Sequence, residues 1–167
     1  MFKFIIGLVF ALLATAVVIP GFFPMCGCGS PETRAIGILR SVNSAQSAFA
    51  ASCGGEGYAQ SLQDLAKAPA GTTASFLSPD VSRNGVTIDG YVFMVVAGPE
   101  ARTVTDASQT CNGAKADAVS SYFAEAHPLR VGETGRRSFA TDDRGTIYVS
   151  DTGRAVTPDM AGASVLQ

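Results

Sequence analysis

Four cysteines, one histidine and one group of aspartates are the side chains of this 167-residue sequence that could do chemistry. Cys53 and Cys111 each stand beside glycine, in Cys53-Gly54-Gly55 and Cys111-Asn112-Gly113. In an oxidising compartment they can bridge, and closing so long a loop stabilises a fold by about 4 kcal/mol less any native strain. The competing reading is two separate buried thiols. Cys26-Gly27-Cys28 is a different kind of pair, because it lacks the second pair of ligands that a zinc site would need. Cys28 is instead a candidate for lipidation. Gly27 suits the position before an acylated cysteine, whereas Met25 and Cys26 are poor choices upstream of it.

His127 directly precedes Pro128, and a Ser-His-Asp arrangement would have to use it. A lone histidine in such a place reads as a surface residue. It would become interesting only if buried beside an acid and a nucleophile. No GxSxG, HExxH or P-loop pattern occurs, and Gly132-Glu133-Thr134-Gly135 reads as a turn. Asp142, Asp143 and Asp151 could offer carboxylate oxygens to calcium from two sides of a hairpin, and a solvated turn explains the same residues. The metal and cofactor expectation is therefore none. Arg136 and Arg137 beside that acidic hairpin predict a surface ion pair worth under about 1 kcal/mol.

The elements that must position these groups begin with a helix. Ser30-Pro31-Glu32 is a helix start, with Ser30 as N-cap and Pro31 at the first helical position. Ala35, Ile38, Val42, Ala45 and Phe49 then recur in steps of three and four, which predicts an amphipathic helix over 31–52. Arg40, Asn43, Ser44 and Ser47 fall off that stripe. Ser61 and Asp64 have capping-box spacing, so a short helix over 62–68 follows. Strands are expected at 86–88 and 91–96 about an Asp89-Gly90 turn, at 119–126 ending before Pro128, and at 137–141 and 146–150 about a loop with Gly145. Residues 98–115 read as a long polar loop, and the tail after Asp151 carries no pattern. The sum is an α+β roll: a long amphipathic helix packed on a four- to five-strand antiparallel sheet.

No charged residue occurs from Phe4 to Phe23, enough for a helix to cross a bilayer core. This predicts a single-pass membrane protein, with an anchor or signal segment at 1–23, a neck at 24–31, a domain at 32–155 facing the periplasm or cell exterior, and a tail at 156–167. Phe22 and Phe23 would sit at the membrane interface. The net charge of −2 and scattered basic residues argue against nucleic acid, and the absence of tryptophan argues against a large aromatic-lined pocket for a small-molecule substrate.

Several stretches together resemble the type IV pilin-like proteins, in particular the major pseudopilins of type II secretion systems. Residues 14–22 (ATAVVIPGF) resemble the end of the pilin transmembrane half-helix, with its helix-interrupting proline. Residues 34–40 (RAIGILR) and 43–46 (NSAQ), ending in Phe49, resemble the ectodomain half of the pilin helix. Gly57-Tyr58 with Ser61, Leu62 and Leu65 resembles the connecting loop, and 137–141 with 143–147 resembles the terminal hairpin. The resemblance spans about residues 8 to 155. It implies a pilin-like roll, no enzymatic activity, partners among other pilin-like or secretion-system proteins and the lipid bilayer, and calcium near the C-terminal loop. The N-terminus departs from the pattern. Gly7-Leu8 is the only candidate processing site, Leu12 stands where a glutamate is usual, and no acid precedes Glu32. Aligned on Pro20, the chain is expected to begin near the mature start, without the usual leader. The alternative expectation is an envelope lipoprotein acylated at Cys28 and acting as a binding module.

Overall fold

A computed structural model describes residues 29–166. The expected anchor at 1–23, most of the neck, and Cys26 and Cys28 lie outside the described residues.

Helix α1 spans Pro31–Ser52, and its start is built as the residue types require. The Ser30 hydroxyl accepts the backbone N–H of Thr33 at 3.2 Å, with Pro31 where no N–H is needed. Its buried face comprises Ala35, Leu39, Val42, Ala45, Gln46 and Phe49. The expected stripe is thus right except at Ile38, which is half-buried while Leu39 takes the core position. Helix α2 (Leu62–Ala66) is short, capped by Ser61, and buries Leu62 and Leu65.

Among the described residues eight strands follow: β1 (Val86–Ile88), β2 (Tyr91–Ala97), β3 (Thr103–Thr105), β4 (Ala118–Val119), β5 (Tyr122–Pro128), β6 (Ser138–Asp142), β7 (Ile147–Ser150) and β8 (Ser164–Val165). Six of them form one antiparallel sheet in the order β1-β2-β5-β6-β7-β8, and β3 pairs with β4 in a small second sheet.

The expected fold class therefore needs correction in three respects. The main sheet has six strands and not four or five. A second sheet pairs β3, in what reads as loop, with β4 at the start of the expected 119–126 strand. And no described helix is long and apolar enough to cross a membrane, so the predicted membrane helix has no counterpart among the described residues. The extra strands escape a pattern reading for a physical reason. β4 and β8 are two residues long and β3 only three, too short for alternation to register. Strand β5 also runs on through Pro128, because the preceding His127 adopts the extended backbone that proline favours.

One face of the sheet carries Tyr91, Phe93, Val95, Ala124, Ala126, Phe139 and Ile147 against α1, and these with the helix stripe form the main core. The opposite face is partly roofed by the C-terminal tail, where Val156, Met160 and Ala163 pack on Phe123 and Ala140. The tail returns through positive-φ turns at Gly153, Met160 and Gly162, which is how β8 reaches the edge of β7.

Candidate functional site

Both ends of α1 are fastened to chain that arrives much later. At the C-terminal end Cys53 is disulfide-bonded to Cys111, 58 residues on, with 4.7 Å between their α-carbons. The neighbouring backbone is paired as well, since the Cys111 N–H donates to the Cys53 carbonyl. Of the two readings of these cysteines, the bridge is the one present.

At the N-terminal end the Glu32 carboxylate takes four donors. One oxygen accepts the backbone N–H groups of Arg136 and Arg137, and the other accepts Nε and an Nη of Arg137 at 2.9 and 2.7 Å. Burial works against the charge on Glu32. The hydrogen bonds from Arg137 and Arg136, with the Arg137 charge, outweigh it and hold the carboxyl below its ordinary value. This corrects the expected pairing of Arg136–Arg137 with the acidic hairpin. The hairpin supplies its own cation, as Arg144 donates to the Asp142 carboxylate at 2.8 and 2.5 Å. Beside the clasp, the buried Tyr91 hydroxyl donates to the Arg137 carbonyl at 2.8 Å. Burial and the Glu32 charge push that phenol up to about 12.

Between the ends, two polar side chains on α1 tie the helix to later loops and strands. Gln46, fully buried, accepts the Ala59 N–H at 2.9 Å and donates to the Ala59 carbonyl at 2.8 Å. Asn43 accepts the hydroxyls of Tyr122 and Thr141 and donates to the Gly145 carbonyl. Neither role was expected from the sequence. The only signal was a polar residue amid an apolar stripe, in the case of Gln46.

His127 is not the isolated surface residue the sequence suggests. It lies half-buried on the outer sheet face, and its Nδ1 meets the Glu125 carboxylate at 3.0 Å. That hydrogen bond leads the causes that raise the imidazole above its ordinary value, over the opposing effect of burial. Continuing the β5–β6 register by one position sets Ser138 across from His127. The Ser138 hydroxyl has no hydrogen-bond partner among the described residues, and its residue is 0% exposed. An acid, an imidazole and a serine hydroxyl therefore do share one face. A nucleophile must meet its substrate, however, and this serine is sealed inside the protein.

The aspartates that could offer oxygen ligands to calcium do not converge. Asp142 is held by Arg144, Asp143 and Asp151 are exposed, and among the described residues no three His, Cys, Asp or Glu side chains stand close enough to hold a metal. A groove of about 320 Å³ runs between α1 and the segment before β1, floored by Ile38, Phe76, Leu77, Val81 and Ile88 with Arg34 and Asp80 at its rim. It can accept an apolar side chain, and no histidine, cysteine or serine–base pair lines it.

No protein-family model matches this chain, and no curated protein or solved structure matches it either.

Proposed function

We propose that the chain is a non-enzymatic interaction protein of the cell envelope, pilin-like in character. Its apolar first segment holds it to a membrane, and residues 29–166 face the periplasm or cell exterior. The observation that carries this reading is the Cys53–Cys111 bond. Structural disulfides form and persist in oxidising compartments, and a sequence with no charge from Phe4 to Phe23 is one a cell would export or anchor. The polar contacts of α1, from buried Gln46 and half-buried Asn43 and Glu32, fit a rigid platform better than a catalyst, since all three bond to internal backbone and side chains. Partners are accordingly the bilayer and other envelope proteins, among them pilin-like or secretion-system components.

The test is the intact mass of the protein from carbonate-washed membranes of its native host, before and after reduction. The expected species carries residues 1–28, stays with the membrane, and gains two hydrogens on reduction. A protein released by carbonate, or one lacking the apolar segment, refutes the tether. A species beginning at Leu8 would instead show pilin-type processing. A diacyl or triacyl adduct at Cys28 would replace the peptide anchor with lipid and make this an envelope lipoprotein.

A further inference from the structure

The loop joining β5 to β6 presents aliphatic side chains to solvent at the end of the molecule where the apolar N-terminal segment joins. Leu129 is 55% and Val131 56% exposed, the two largest exposures among the big hydrophobic side chains described. The location follows from contacts. Arg136 and Arg137 bond to Glu32 in the first turn of α1, and Gly132–Arg136 line a shallow cavity together with Ser30, Pro31 and Glu32. The β1–β2 turn sits at the same end, where the Gly90 carbonyl accepts the Leu129 N–H at 2.8 Å.

The backbone of this loop looks inward for its partners. Leu129 N–H is bonded to Gly90, and Arg130 N–H to the Thr134 hydroxyl. The N–H groups of Glu133 and Thr134 both reach the Arg130 carbonyl, and that of Gly132 reaches the Gly135 carbonyl at 2.7 Å. Those of Arg136 and Arg137 go to Glu32. Seven of the nine N–H groups from Leu129 to Arg137 are thus paired, those of Val131 and Gly135 being the exceptions among the described residues. Internal pairing of this extent lowers the cost of meeting an apolar medium, where each unsatisfied group costs several kcal/mol.

Charge completes the pattern. Arg34, Arg130, Arg136, Arg137 and Arg154 stand at this end against Glu32, Asp89, Glu133 and Asp151. Arg154 belongs with them because it follows Gly153, which lies against Val131 and the Arg136 carbonyl. Arg34, Arg130 and Arg137 are paired to Asp89, Glu133 and Glu32. Arg136 and Arg154 make no ion pair among the described residues.

From these observations we propose that the Leu129–Arg137 loop is a membrane-contact element. Leu129 and Val131 dip into the boundary between headgroups and acyl chains, and Arg136 and Arg154 meet anionic lipid. This rests on the tether proposed above, because the tether sets the reach. Gly29 follows Phe23 by only six positions, at most about 20 Å of extended chain. The loop therefore stays within about 20 Å of the end of the apolar segment, near enough for a dip of roughly 5–10 Å into apolar material. The domain would stand on the membrane with α1 rising from it.

The chain has no tryptophan, so a single introduced indole reports its own surroundings. The experiment places the full chain, as Val131→Trp, in vesicles of phosphatidylethanolamine and phosphatidylglycerol. The control is Val104→Trp, exposed beside the opposite end of α1, where Val104 neighbours Gly57. The expected result is a blue-shifted emission from the Val131→Trp protein, quenched by brominated acyl chains and sheltered from iodide, with the Val104→Trp protein showing neither. Leu129→Trp repeats the test should the first variant fold poorly. Equal iodide quenching in all three variants, in protein that pellets with the vesicles, would overturn the contact and leave the tether standing. Protein that does not pellet would overturn both. Shelter in native membranes but not in protein-free vesicles would overturn the lipid assignment in favour of a protein partner.

Discussion

The two ends of α1 are secured by opposite means. At the C-terminal end a covalent bond joins Cys53 to Cys111, indifferent to pH and salt and open only to a reductant. At the N-terminal end one carboxylate, Glu32, holds four donors from the two residues just before β6, and this clasp depends on ionisation. Both fastenings solve the same problem. The helix buries one stripe on a sheet built entirely from later chain, and fraying at either end would expose Ala35 or Phe49. The covalent fastening stands where the chain leaves the helix through Gly54 and Gly55, with no basic residue in the last turn to favour the exposed carbonyls. The ionic one stands where the helix dipole already favours a negative side chain. Each end uses the chemistry that its local backbone rewards.

The largest effect expected is at the covalent end. Cys53→Ser should lower unfolding stability by about 4 kcal/mol in urea titrations. Reductant should destabilise the parent by a similar amount and leave the variant unchanged. Equal sensitivity of both to reductant would place the control elsewhere. Next comes the middle of the helix. Gln46→Leu leaves the Ala59 N–H and C=O without partners, so a loss of roughly 2–4 kcal/mol is expected from the same titration.

At the ionic end, Glu32→Gln should cost about 1–2 kcal/mol near neutral pH. Its sign with pH is fixed by the direction of the shift. The folded-state pKa lies below the ordinary 4.5, so this contribution is fully present above that value and fades as pH falls through the folded pKa. Parent and variant should therefore converge in acid, and a gap that persists there would deny the clasp its charge. The double variant Cys53→Ser/Glu32→Gln should be additive within about 0.5 kcal/mol, because the ends lie about 33 Å apart along the helix.

The smallest effect belongs to neither end. His127→Gln should cost under about 1 kcal/mol, and here the sign is reversed. The imidazole is raised above its ordinary 6.5, so the pairing with Glu125 contributes fully below that pH and is lost as pH rises through the folded pKa. Thermal midpoints of parent and variant should differ at about pH 5.5 and meet in mild alkali.

How far the sequence speaks can be read from particular residues. Helix α1 is legible to its last residue because Ser30, Pro31 and a repeated stripe act within a few positions of one another. The Cys53–Cys111 bond was one of two open readings until the fold set the α-carbons 4.7 Å apart. The Glu32–Arg137 clasp was illegible, because its partners are 105 residues apart and Arg137 has nearer acids at Asp142 and Asp143. The Glu125–His127 pair was within reach. Alternation along a strand puts residues i and i+2 on one face, a relation the reading of His127 as isolated passed over. The tail stayed silent because its role rests on Val156, Met160 and Ala163 touching Phe123 and Ala140, an arrangement with no local period.

The course of β8 carries a consequence for time. Leu166, the last described residue, donates to the Ile147 carbonyl, and the strand before it closes the edge of β7. A chain that emerges N-terminus first presents α1 long before any strand exists to receive its apolar stripe. Cys53 likewise waits as a thiol until Cys111 arrives. Contacts spanning about a hundred residues, such as Asn43 to Gly145, close last and slowly. Until then α1 is a lone amphipathic helix with a reactive sulfur at its end, the species a chaperone or thiol oxidase would meet first.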